Sequence, residues 1–139
     1  MADPYNLQRF VVAQRPLFEQ VRVELRAGQK RSHWMWFIFP QIKGLGYSNL
    51  AQAFAISSLD EARAYLEHSV LGSRLRECTG LVLLVDRRSI RDIFGDPDDL
   101  KFRSSMTLFA HATSENQLFL DALMKYCGGE FDPLTLDRL

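Results

Sequence analysis

Two stretches of the chain gather the residue types that recognise charged ligands. The first runs from Arg26 to Ser48 and holds Lys30, Arg31, His33, Trp34 and Trp36, followed by Gln41, Lys43, Gly44, Gly46 and Ser48. An indole ring stacks on a nucleobase, and a lysine beside the backbone N–H groups of a glycine loop meets an oxyanion, so this mixture suits a phosphorylated nucleoside or sugar. His33 adds a group able to donate or accept a proton near neutral pH. The second stretch spans Asp96 to Thr107. On a helix opening near Asp98, residues Asp98, Lys101 and Ser105 stand at i, i+3 and i+7 with Ser104 beside them, opposite the apolar Phe102, Met106 and Phe109. There Lys101 can neutralise phosphate while Asp98 acts as general base.

Each stretch also has an ordinary structural use. A run of aromatic residues serves as core as readily as a stacking platform, with Gln41 or His33 available to satisfy a buried indole N–H. Asp98 can cap its helix and pair with Lys101, and Ser48 suits a helix N-cap better than a nucleophile. His68 and His111 fall at helix ends, where the last carbonyls and the helix dipole account for them.

Other signatures fail on their spacing. Gly44-Leu45-Gly46 lacks the third glycine and the strand–helix setting of a dinucleotide fingerprint. Gly46-Tyr47-Ser48 begins like a nucleophile elbow, but Leu50 stands where the closing glycine belongs. Three histidines and the cysteines 78 and 127 show no metal-ligand spacing, so neither a metal nor a cofactor is implied.

The elements that must position these residues read as helices. Asp3-Pro4 opens a first helix through Gln14, and Pro16 opens a second that Gly28 stops. Ser48 caps a short helix through Ala55, and Ser58 with Glu61 forms a capping box before the next. Leu71, Leu75, Cys78 and Val82 repeat at helical spacing, which places Cys78 on a buried stripe. A short helix from Ser89 to Phe94 stops at Gly95, and the Asp98 helix follows. Ser114 with Gln117 opens another that ends at Gly128, and Asp132-Pro133 starts a last one. The expected fold is all-α, a single domain over residues 1–139 built as a bundle of about eight short helices. The alternative is α+β, with a small strand element at 34–39 or 81–85, where periodicity does not separate a buried turn from a strand.

At 139 residues the chain has the length of one domain, and with 47% hydrophobic and 12% aromatic residues it is neither disordered nor a disulfide scaffold. Its 17 basic residues balance 17 acidic ones, so no global field draws it to nucleic acid, although Arg22, Arg26, Lys30 and Arg31 could form a local stripe. Its apolar runs are too short to span a membrane, its first ten residues do not suit a secretory signal, and its separated cysteines fit a reducing compartment, so a cytoplasmic location is expected.

The longest strings resemble a known bacterial family. Ser32-His33-Trp34-Met35-Trp36-Phe37-Ile38-Phe39-Pro40-Gln41 with Gly44-Leu45-Gly46-Tyr47-Ser48 resembles the hallmark of the family catalogued as domain of unknown function 1810. Asp3 to Phe10, Leu71 to Leu75, Ile93-Phe94-Gly95 with Asp98 and Lys101, and Ser104 to Phe109 follow the same pattern. The resemblance implies a mainly helical cytoplasmic domain. A looser likeness in architecture and size is to the NADAR group, which acts on N-glycosidic bonds of ADP-ribose-type or riboflavin-pathway compounds, and it adds slight weight to a nucleotide-like ligand by analogy of fold alone.

The sequence therefore predicts a pocket joining the His33–Ser48 segment to the Asp98–Ser105 face and binding or hydrolysing a phosphorylated nucleoside or sugar of the ADP-ribose type. In it Trp34 or Trp36 stacks, Lys43 and Lys101 meet phosphate, and Asp98 and His33 move protons, with Gln41, Gly44, Gly46, Ser48, Ser104 and Ser105 lining it. The other reading is a non-catalytic module that docks a protein partner.

Overall fold

The computed structural model describes residues 2–139, and among these there are ten helices and no strand. In chain order they are α1 (Gln8–Gln14), α2 (Phe18–Ala27), α3 (Met35–Ile38), α4 (Asn49–Ala53), α5 (Leu59–Glu67), α6 (Leu71–Leu84), α7 (Ile90–Phe94), α8 (Asp98–Ala112), α9 (Gln117–Cys127) and α10 (Pro133–Leu136). The all-α class holds with ten helices against the expected eight or so, and the aromatic run folds as α3, a single turn rather than a strand. The other ambiguous run, 81–85, simply continues α6 to Leu84. Among the described residues one isolated parallel bridge forms, in which Lys43 N–H donates to Ile56 O at 2.8 Å and Ile56 N–H donates to Gln41 O at 2.9 Å, and Lys30 N–H separately donates to Ile93 O at 2.7 Å.

α8 is the central element. Phe102, Met106, Leu108 and Phe109 are buried along it, and α5, α7, α9 and α10 pack around it while α6 joins α2, α5 and α9. The periodic apolar stripes read from the sequence account for this, since each amphipathic helix can bury its face only against another element. Cys78 lies inside on α6, where burial pushes its thiol up to about 12.

Most helix ends obey the sequence signals, with informative exceptions. Ser48, Ser58, Ser89 and Asp132 cap α4, α5, α7 and α10 with their side chains, and Gly28 and Gly128 end α2 and α9 in the left-handed conformation. Asp3 does serve the first helix, but α1 starts at Gln8 rather than at Pro4, and the two carboxylate oxygens accept from Leu7 N–H and Gln8 N–H at 2.8 and 3.0 Å. The Ser114–Gln117 box does not form. Asn116 sits at the start of α9 and spends its amide on Ala110 O at 2.8 Å.

α5 and α6 cross at Gly72, where a Cβ would fall 2.0 Å from the Leu66 carbonyl oxygen. That neighbour is backbone and cannot rotate away. Gly72→Ala is therefore expected to destabilise by more than about 2 kcal/mol despite its better helix propensity, read as a lower urea midpoint with an unchanged slope.

Candidate functional site

The two stretches singled out by residue type meet in space. A cleft of about 370 Å³ opens between α3 with its following loop, α4, and the first turn of α8. Trp36, Phe39 and Phe54 give it apolar walls, and Gln41, Lys43, Gly44, Gly46, Tyr47 and Lys101 supply its polar edges. Lys101 reaches across from α8 so that its Nζ stands 5.4 Å from the centroid of the Trp36 ring, a cation–π contact that joins the two stretches directly. The Trp36 ring is half-buried, and its N–H makes no hydrogen bond among the described residues.

The positions of these side chains follow from buried polar groups behind them. Glu24 on α2 is 2% exposed, and its carboxylate gathers the chain leading into α3. Oε1 accepts from Arg31 N–H at 2.7 Å, Ser32 N–H at 2.9 Å and Trp34 Nε1–H at 2.9 Å, while Oε2 accepts from Ser32 Oγ at 2.5 Å and Gln20 Nε2 at 2.8 Å. Burial alone would push this carboxyl up, but the donors from Ser32, Arg31 and Gln20 outweigh it and hold its pKa at about 2. Gln14 on α1 holds the other end of α3, donating to Phe37 O at 2.7 Å and to Tyr65 Oη at 3.0 Å. Arg9 ties down α4 by donating to Ala53 O and Ala55 O, both at 2.9 Å, and pairs with the buried Glu61 at 3.0 Å. Two walls of the cleft, α3 and α4, are thus fixed by charged or amide groups that are themselves hydrogen-bonded, which is what a preformed site requires.

The remaining sequence-derived residues divide by location. Trp34 is fully buried beside Phe39 and Phe94, with its N–H on Glu24, so the indole that faces the cleft is that of Trp36. Asp98 lies between two ammonium groups, Lys30 at 2.9 Å and Lys101 at 3.3 Å. His33 is exposed and lies outside the residues that line the cleft. Ser48 accepts from Ala51 N–H at 3.1 Å as the cap of α4. Ser104 faces away toward α10, with its Oγ 2.9 Å from Asp132 Oδ2. Ser105 is buried one turn beyond Lys101, and its Oγ has no partner among the described residues. Of the basic stripe weighed for nucleic acid, Arg22 is engaged by Glu77 and Glu19 and Lys30 by Asp98.

Residue-type reasoning missed Tyr47, which lines the cleft at 84% exposure, and the apolar Phe54 on its floor. It also missed Arg138, whose guanidinium packs on Gly44. Phe54 carried a usable signal, because it ends the helix that Ser48 caps. Arg138 carried none, since nothing local connects residues 138 and 44.

An all-helical protein with a preformed aromatic and basic cleft is the class that this geometry defines. Residues 4–139 match the model of the family described as "Protein of unknown function (DUF1810)", and the chain belongs to that family. It is 60% identical to the conserved hypothetical protein Rv1873 from Mycobacterium tuberculosis, solved by crystallography, over 99% of this chain and 98% of that one, with a TM-score of 0.98. No curated protein matches it. Among the described residues no helix is long and apolar enough to cross a membrane, and no three His, Cys, Asp or Glu side chains stand together as a metal site.

Proposed function

We propose that the cleft binds a small ligand with a flat ring and an anionic group, a phosphorylated nucleoside being the chemistry it suits best. The observation that carries this reading is the convergence of the Trp36 ring, Lys101 and the Lys43–Gly46 loop on one apolar-walled cavity of about 370 Å³. Ligand sites of roughly 300–1,000 Å³ with few polar groups on apolar walls are the usual form. Trp36 offers a face and a free N–H, Lys43 and Lys101 offer positive charge, and the glycines let backbone N–H groups approach an oxyanion.

The arrangement supports recognition rather than turnover. Asp98 is shared by Lys30 and Lys101 and so acts as the group that orients Lys101, while His33 stands outside the cleft. A thermal-shift screen of the purified protein against nucleosides, nucleotides and sugar phosphates tests the reading. A ligand at a hundred times its Kd stabilises by roughly 2.7 kcal/mol, several degrees for a chain of this size. The expected result is a shift with nucleoside phosphates that Lys101→Met reduces while lowering the unliganded melting temperature by only a few degrees, the scale of one partly covered ion pair whose Asp98 keeps Lys30. No shift of the wild-type protein with any of these compounds would overturn the reading and leave the cleft as a groove for a protein partner.

A further inference from the structure

We propose that Arg138 is the phosphate-recognising group of this cleft, so that the site prefers a nucleoside 5′-phosphate to the nucleoside itself; this rests on the reading of the cleft given above. Arg138 stands just outside the residues that line the cleft, and Gly44, which does line it, is the point of contact. It lines the cleft with a φ of +99°, and a Cβ placed on it would fall 2.3 Å from Nη1 and 2.7 Å from Cζ of Arg138. The guanidinium therefore fills the space that a side chain at position 44 would need. The positive φ requires glycine there, whereas the guanidinium is the end of a flexible side chain that can swing aside. Arg138 makes neither an ion pair nor a side-chain hydrogen bond among the described residues, so its N–H fork is uncommitted beside the loop. Lys43, next to Gly44, is also without an ion pair among them.

The segment that delivers Arg138 is firmly docked. Asp132 Oδ2 accepts from Thr135 Oγ1 at 2.6 Å, Ser104 Oγ at 2.9 Å and Thr135 N–H at 3.2 Å, and its own N–H donates to Thr107 Oγ1 at 2.9 Å. Arg103 adds bonds to the carbonyls of Phe131 at 2.7 Å and Glu130 at 3.1 Å. α8 thus presents Lys101 to the cleft from one side and anchors the Arg138 segment from another. A planar guanidinium makes two parallel N–H···O bonds to one phosphate, which a lysine cannot, and it does so beside a loop whose glycine backbone is open to the same anion. With Trp36 taking the base, the phosphate of a nucleoside monophosphate falls to the Gly44 side of the cleft.

The test is titration calorimetry of the full chain with the four ribonucleosides, their 5′-monophosphates and inorganic pyrophosphate, on the wild type, Arg138→Ala and Arg138→Lys. The wild type is expected to bind the best monophosphate at least about tenfold more tightly than its nucleoside. Arg138→Ala should bring that ratio to within about threefold while leaving nucleoside affinity unchanged, and Arg138→Lys should restore part of it. An unchanged ratio in Arg138→Ala overturns the assignment and leaves the base-stacking reading standing. Pyrophosphate binding that depends on Arg138 without any nucleoside or nucleotide binding overturns both the nucleotide preference and the stacking, and leaves Arg138 as part of an anion site only. Binding of none of these ligands overturns both. Because Arg138 is exposed, thermal melting of each variant is expected to match the wild type.

Discussion

Glu24→Ala should lower the stability of the protein by about 3 kcal/mol, on the order of 10 °C in Tm for a chain of this length. Five donors converge on this one buried carboxylate, three of them on Oε1. Alanine leaves the N–H groups of Arg31, Ser32 and Trp34 without an acceptor, and an unsatisfied buried donor costs about 1–3 kcal/mol by itself. The loss also reaches the cleft, because the same carboxylate sets the course of the chain into α3 and hence the seat of Trp36. Acid should act on the same group. The folded pKa of about 2 lies below the ordinary value of 4.5, so Glu24 contributes its stability above pH 4.5 and loses it as pH falls toward 2. Chemical denaturation between those limits should show a slope in the wild type that Glu24→Gln lacks at this site. Equal stability of wild type and Glu24→Ala at pH 7 would contradict the account of how the cleft is held.

Trp36→Ala should weaken binding of a nucleoside phosphate by about 30-fold, the equivalent of ~2 kcal/mol for loss of one stacking face. Stability should change far less than for Glu24→Ala, because Trp36 is half-exposed while Trp34 carries the buried indole. The chain has only these two tryptophans, and Trp34 is inaccessible, so quenching of intrinsic fluorescence by a bound base reports on Trp36 alone. Trp36→Phe should keep most of the affinity and lose the quenching. Lost quenching together with unaltered affinity in Trp36→Ala would place the ligand elsewhere.

Much of this architecture is legible in the amino-acid order because local chemistry dictates it. Ser48, Ser58, Ser89 and Asp132 cap as their types predict, and Gly28 and Gly128 stop helices where the apolar stripes end. Residue types singled out the Trp36 stretch and Lys101 separately, and only the fold brings them within 5.4 Å. What the sequence could not convey is which side of a short element faces solvent. Trp34 and Trp36 are two residues apart, and only the tertiary acceptor on Glu24 decides that the first turns inward. Ser104 looked like a ligand-facing hydroxyl on a polar face of α8, yet the docking of α10 buries that face and gives it Asp132 as a partner. Arg138 was invisible for the same reason, since its contact with Gly44 depends on where α8 sets the last segment down.

The central claim is that Trp36, Lys101 and the Lys43–Gly46 loop form one ligand site, and the most direct measurement is a crystal structure of the protein soaked with the nucleoside monophosphate that binds best. The account predicts a base lying flat on the Trp36 ring beside Lys101, with the phosphate at Gly44 within reach of Lys43 and Arg138. A nucleotide bound away from this cleft, or a cleft that stays empty at saturating ligand, would contradict it.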